Sequence, residues 1–238
     1  SVPSFWEVLR NTLIISTYNL VLGFPAPIIL ALLLNEVRHA KFKKVVQTIS
    51  YLPHFISWVV LGGIFVQFLS PSSGPINVVL KALGRNPIFF LADPRWFRTV
   101  LVVTSIWKGV GWNSIIYLAT LSSIDPEQYE AADIDGANRL QKMLHITLPG
   151  LSHVVTIMLI FAVGGLIQDN FDQIYNLLLS PTVYSVGDVL STYTYRMGLV
   201  NMEYSFSTAV GLFTNVVSFV LIVITNAIAK RINEYGIW

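Results

Sequence analysis

Lys108 lies about 14 residues inside a long apolar stretch, where an ammonium costs roughly 2.5 to 3.5 kcal/mol unless it faces water or a partner. Thr104, Ser105, Lys108 and Trp112 share one side of a helix. Together they supply hydroxyls, a charge and an aromatic ring, a set suited to sugar hydroxyls and the apolar faces of sugar rings. Trp107, Asn113, Tyr117, Gln168 and Asp169 extend the polar and aromatic set. A packing reading stands beside this one: Lys108 forms a structural ion pair with Asp169, and the aromatic and amide groups serve helix contacts. Other chemistry is poorly provided for. There is no cysteine, hence no thiol nucleophile or thiolate metal site. His39, His54, His145 and His153 lack a ligand spacing such as H-x-x-x-H, so they read as interfacial polar groups rather than metal ligands. The chain has no G-x-S-x-G elbow for a serine hydrolase and no G-x-x-x-x-G-K-[ST] loop to cradle nucleotide phosphates. No catalytic residue is expected.

The elements that must carry these side chains follow from composition. Of 238 residues, 54% are hydrophobic and only 12% charged, and the mean hydropathy is +0.63, so the solvent of this chain is a bilayer. A net charge of +2, without a long run of like charges, sets nucleic acid aside. A bilayer core about 30 Å thick needs about 20 helical residues. That length predicts five spans in one all-α polytopic domain covering 1–238: about 13–34, 55–69, 94–121, 148–168 and 206–229. Pro25 and Pro27 are expected to kink the first. The second reaches full length only by borrowing residues upstream of Pro53. The third starts at Asp93-Pro94, with Trp96 and Phe97 as interfacial anchors.

Basic residues set the orientation. Arg38, Lys41, Lys43 and Lys44 crowd one connection and Lys230 and Arg231 close the last span, which places both on the cytoplasmic side. Residues 70–93 and 170–205 then become outside loops, within which 74–84 and the stretch ending at Gly198 read as short helices. Either could receive a partner or simply cap the bundle.

Between the third and fourth spans lies YEAADIDGANRLQKMLHITLP, residues 129–149, too polar for hydrocarbon. Asp125 is a good N-cap, Pro126 suits the first helical position, and Gln128 completes a D-x-x-Q capping box. Asp135-Gly136 interrupts the helix, so an elbow is expected over 125–146 with a bend near 136 and re-entrance into the membrane at Pro149. Tyr129, Ala132, Gly136, Leu140 and Met143 form a small or apolar stripe that must be buried, against either the membrane surface or another protein.

The spacing Glu130-Ala131-Ala132, three residues, Gly136, nine residues, Ile146-Thr147-Leu148-Pro149 resembles the EAA signature of ATP-binding-cassette (ABC) importer permeases at every defined position. The resemblance runs from about Asn11 to the C-terminus, in the maltose-type carbohydrate branch. NPIFFLADPRWFRTVLVVTSIWKGVGWNSIIYLATLSSID and DVLSTYTYRMGL are similar to permeases for complex oligosaccharides or polysaccharide fragments. It implies a type I importer permease fold, which usually has six spans, so a sixth is expected upstream of residue 13. It also implies a bacterial-type plasma membrane protein that is not itself an enzyme. Tyr129, Glu130, Ala131, Ala132, Asp135, Gly136, Leu140, Ile146, Leu148 and Pro149 would form a coupling helix docked on a separate ATPase. The implied partners are a second, related permease, two ATPase subunits that bind ATP and Mg, an extracytoplasmic solute-binding protein and a sugar. Three rivals remain at this point: a permease of the same kind for another solute, an ion-coupled secondary transporter or channel using Lys108 and Asp169, and a non-transporting membrane receptor or scaffold whose elbow binds some other cytoplasmic partner.

Overall fold

The computed structural model describes residues 4–233 and Gly236, and among these the chain is helical with no strand. Helix α1 (Phe5–Tyr18) opens on a reciprocal cap between Ser4 and Glu7. It continues through a π-helical turn (Asn19–Gly23) into α2 (Pro25–Glu36), giving one 32-residue apolar helix. Pro25 and Pro27, expected to kink this helix, interrupt it only through the widened turn and do not divide it into two. A proline ring clashes with the carbonyl four residues back, and the widened turn just before Pro25 makes that room while the rod continues.

Helix α3 (Ala40–Tyr51) runs through a 3-10 turn (Leu52–Phe55) to α4 (Trp58–Phe68), with a bend of 104° between the two arms. The expected span at 55–69 is therefore not a straight helix. The 11 residues of α4 extend only about 17 Å, so the pair is a broken span or a re-entrant loop. A short outer helix, α5 (Pro75–Ala82), is tied down by the fully buried Asn77, whose amide bonds Leu69 O, Ser70 O and both backbone groups of Ile88.

Helix α6 (Pro94–Ser122) begins where the sequence predicts, with Asp93 accepting from Arg95 N at 2.9 Å. It is the central strut and packs on α2, α3 and the fourth-span helix. Phe97 is not an interfacial anchor: it is fully buried beneath Gly187, while Trp96 is exposed. Beyond it come α7 (Pro126–Ile134), α8 (Arg139–Lys142), a π-helical turn (Met143–Thr147) and α9 (Leu148–Gly164). From Arg139 to Ile167 these make one 29-residue apolar helix. Pro149 marks no break, because the π turn before it again absorbs the ring. The segment expected outside folds as α10 (Phe171–Leu177), α11 (Tyr184–Gly187) and α12 (Leu190–Tyr195), then a π turn (Arg196–Val200) that runs through Gly198 instead of stopping there. The last helix is α13 (Tyr204–Asn233), packed on α9.

Among the described residues three helices are long and apolar enough to cross a bilayer, or four if the bent pair counts as one. The 29-residue α6 has the length but is not one of them. Large apolar side chains such as Leu212, Val216 and Phe219 stand exposed along α13, which suits lipid rather than water.

Candidate functional site

The elbow is built from local signals. Asp125 caps α7 by accepting from Glu127 N at 3.0 Å, so the cap closes on the second helical amide rather than as the expected box with Gln128. α7 ends in a Schellman motif: Gly136 N bonds Asp133 O, Ala137 N bonds Ala132 O, and Gly136 has φ +76. Only glycine takes that conformation without strain, which is the physical reason for a glycine at this place in the spacing. Asn138 then caps α8 in a reciprocal box with Gln141. Lys142 reaches back to Asp133 at 2.6 Å, fastening α8 to α7. Tyr129 Oη meets Thr147 Oγ1 at 3.1 Å and so ties α7 to the foot of α9.

The bend divides the expected stripe. Tyr129, Ala132 and Met143 turn inward and are half-buried, as is Ile146, whereas Gly136 and Leu140 face out. Glu130, Ala131, Asp135, Leu148 and Pro149 are exposed as well. Ile134, which the stripe omitted, is 88% exposed, and Leu140 beside the bend is 59% exposed.

The polar and aromatic set around Lys108 does not stay together. Ser105, Asn113, Tyr117, Gln168 and Asp169 line a cavity of about 430 Å³ bounded by α1, its π turn, α6 and α9. Thr104 is buried beside it, bonded to Gln173 Nε2 at 2.9 Å. Lys108 faces away: Nζ donates to the carbonyls of Pro53, His54 and Ile56 at 3.1, 2.7 and 2.6 Å, with the Trp58 ring 5.6 Å off. It makes no ion pair with Asp169, which is held instead by the backbone and hydroxyl of Ser191. Trp112 stacks on His54 at 4.4 Å and Trp107 meets Phe65 edge-on, both on the side of the bent pair. Lys108 is thus the clamp of the α3–α4 bend, and Gly111 lets the bend close, since a Cβ there would collide with the Ser50 carbonyl. The cavity also draws on residues the sequence reading passed over, Ser16, Asn19 and Gln173 among them. Asn19 Oδ1 is buried without a hydrogen-bond partner, an acceptor left open in the π turn that borders the cavity. A polar residue amid an apolar span was the signal that could have found it.

A second polar knot organises the outer segment. Asp188 is fully buried and accepts from Thr192 Oγ1 at 2.8 Å and Arg196 Nη2 at 2.5 Å. Burial pulls the Arg196 pKa down, but the hydrogen bond and charge of Asp188, with Tyr184 and Tyr193, outweigh it and the net direction is up. Asn11 donates to the carbonyls of Ser185 and Asp188 and accepts from Arg98 Nη2 at 2.7 Å, while Thr12 Oγ1 accepts from Leu190 N. Among the described residues no group of three or more His, Cys, Asp or Glu stands where it could hold a metal ion.

A helical bundle with an external elbow and an internal polar cavity has close counterparts among solved structures. A chain of a bacterial alginate ABC transporter, solved in complex with alginate pentasaccharide-bound periplasmic protein, matches with a TM-score of 0.94 and 43% identity over 98% of this chain and 81% of that one. The fold is that of a type I ABC importer permease. The chain belongs to the family described as binding-protein-dependent transport system inner membrane component, which matches residues 23–234. Protein LplB of Bacillus subtilis is 45% identical over 99% of this chain and 74% of its own length. The polygalacturonan/rhamnogalacturonan transport system permease protein YteP of the same organism is 44% identical over 99% of this chain and 73% of its own. Membership in a binding-protein-dependent transport family leaves no ground for the secondary-transporter alternative.

Proposed function

We propose that this chain forms half of the translocation pathway of an ATP-driven importer for an oligosaccharide or polysaccharide fragment, working by alternating access with a second, related permease. Two separate ATPase subunits bind ATP and Mg, and an extracytoplasmic binding protein delivers the sugar. The alginate transporter and the pectin-type permease among the relatives support the substrate class, and the family description supports the binding protein. On this reading α6 crosses the membrane as a central helix, the elbow lies on the cytoplasmic side, and the protein resides in a bacterial-type plasma membrane.

The observation that carries the mechanism is the continuity of one rod. The elbow is fastened by Tyr129 to Thr147, and the helix from Arg139 to Ile167 supplies Met158, Phe161 and Ala162 to the cavity wall. Closure of the ATPases against Glu130, Ile134 and Leu140 therefore moves a wall of the cavity, and ATP shifts the population from inward-facing to outward-facing. In the cavity, Ser105, Asn113, Gln168 and the open acceptor of Asn19 offer donors and acceptors to sugar hydroxyls, while Tyr117 is packed into the wall behind them. Lys108 and Trp112 serve the frame.

The test is Glu130→Lys in the reconstituted complex. Uptake is expected to fall at least tenfold while the variant assembles and elutes as wild type. Unchanged coupled uptake defeats the assignment of the elbow.

A further inference from the structure

A second pocket of about 470 Å³ lies in the outer segment, lined in part by Tyr175, Asn176, Tyr184, Tyr195 and Arg196. Its size falls within the range of small-ligand sites. The pocket shares α10 with the inner cavity: Gln173 and Ile174 serve the inner one, Tyr175 and Asn176 the outer one.

The aromatic residues form one connected group. Phe171 and Tyr175 stack at 5.1 Å with an interplanar angle of 23°, Tyr195 lies 5.3 Å from Phe171, and it meets Tyr175 edge-on at 5.2 Å. A group of this kind in a core would be sealed, yet Tyr175 is 48% exposed. The Asn176 amide donates to Asp172 O at 2.7 Å, which leaves its carbonyl oxygen as an acceptor. Arg196 brings no free charge, because Asp188 already neutralises it. The pocket thus offers ring faces, a phenol and an amide, and no net charge. Those groups recognise the C–H faces and hydroxyls of a pyranose whatever the charge of the sugar.

We infer that the Tyr175–Tyr195 pocket is an outer saccharide subsite, which holds the trailing pyranose units of an oligosaccharide whose leading end occupies the inner cavity. This rests on the importer reading above and adds a cause for chain-length preference. The inner cavity admits short sugars unaided, and only longer chains reach across α10 to the tyrosines.

The experiment uses proteoliposomes containing the complete transporter and its binding protein, with labelled oligogalacturonides and alginate oligosaccharides of two to six units as probes. Tyr175→Ala and Tyr195→Ala are each expected to raise KM about five- to tenfold for the five- and six-unit chains and to leave the two-unit KM within twofold. Tyr195→Phe, which keeps the ring, should stay near wild type. ATP hydrolysis without sugar, unchanged in all three, reports that the complex is intact. If Tyr195→Ala does not assemble, the exposed Tyr175→Ala decides alone. Equal KM values at every length, or an equal loss at every length, overturn the subsite. Absence of uptake of every probe by the wild-type complex counts instead against the substrate class, a result distinct from the failure of the subsite.

Discussion

The elbow at 125–147 and the outer knot around Asp188 are both polar interruptions between apolar helices, yet they are held by opposite means. In the elbow, Asn138 pairs with Gln141 three positions away, Lys142 with Asp133 nine away, and Tyr129 with Thr147 eighteen away. In the knot, Asn11 reaches Ser185 across 174 positions and Arg98 reaches Asn11 across 87. The elbow's side-chain ties all lie within residues 125–147, and Ile134 and Leu140 are left bare. The knot joins local ties, Asp188 to Thr192 and Arg196 four and eight positions away, to long ones that form only when distant segments of the chain have met. A part that receives force from another protein must be preformed and open, whereas a part that closes one end of a bundle can be as buried as the packing allows.

This contrast can be broken or sharpened by substitution. The largest effect is expected from Asp188→Ala, which strands the Arg196 guanidinium and frees Thr192. Breaking a buried pair in this way costs about 3–5 kcal/mol, and thermal unfolding of the detergent-purified protein should drop by on the order of 10 °C. Unchanged unfolding would mean that the knot is ornamental and the contrast false. An intermediate effect is expected from Gly136→Val. Nothing lies within 4 Å of a Cβ there, so the cost of about 1–2 kcal/mol comes from the left-handed backbone alone. It should fall on uptake in the assembled complex, with the unfolding temperature of the bundle moved by less than a third of the Asp188→Ala shift. The smallest is Lys142→Ala. Its partner Asp133 is 64% exposed, so about 0.2–0.5 kcal/mol is lost and uptake stays within twofold; a larger loss would show that the ion pair sets the elbow angle.

The same contrast explains what could be read in advance. Asp125, Gly136 and the spacing to Pro149 act through neighbours in the chain, so the elbow, its bend and its family resemblance were all legible. The stripe was misjudged because it assumed one helical register on both sides of Gly136, and the turn at 135–138 resets that register. The π turns before Pro25 and Pro149 are not legible in the sequence, because a π turn leaves no residue pattern of its own. The cavity was half legible: Ser105, Asn113, Tyr117, Gln168 and Asp169 converge as expected, but Asn19 and Gln173 join them only through packing of distant helices. Lys108 has the partners that a charge in an apolar helix needs, but they are neither the cavity nor Asp169. Its partners are backbone carbonyls at a helix break 52 to 55 positions away, which no side-chain pattern announces.

That clamp restricts how the molecule can move. If α6 slid past the 104° knee by one turn, the His54 and Ile56 carbonyls would lose the ammonium that holds them, while the Pro53 carbonyl would keep Ile56 N–H. That single bolt resists sliding at this contact and favours a hinge elsewhere in the pathway.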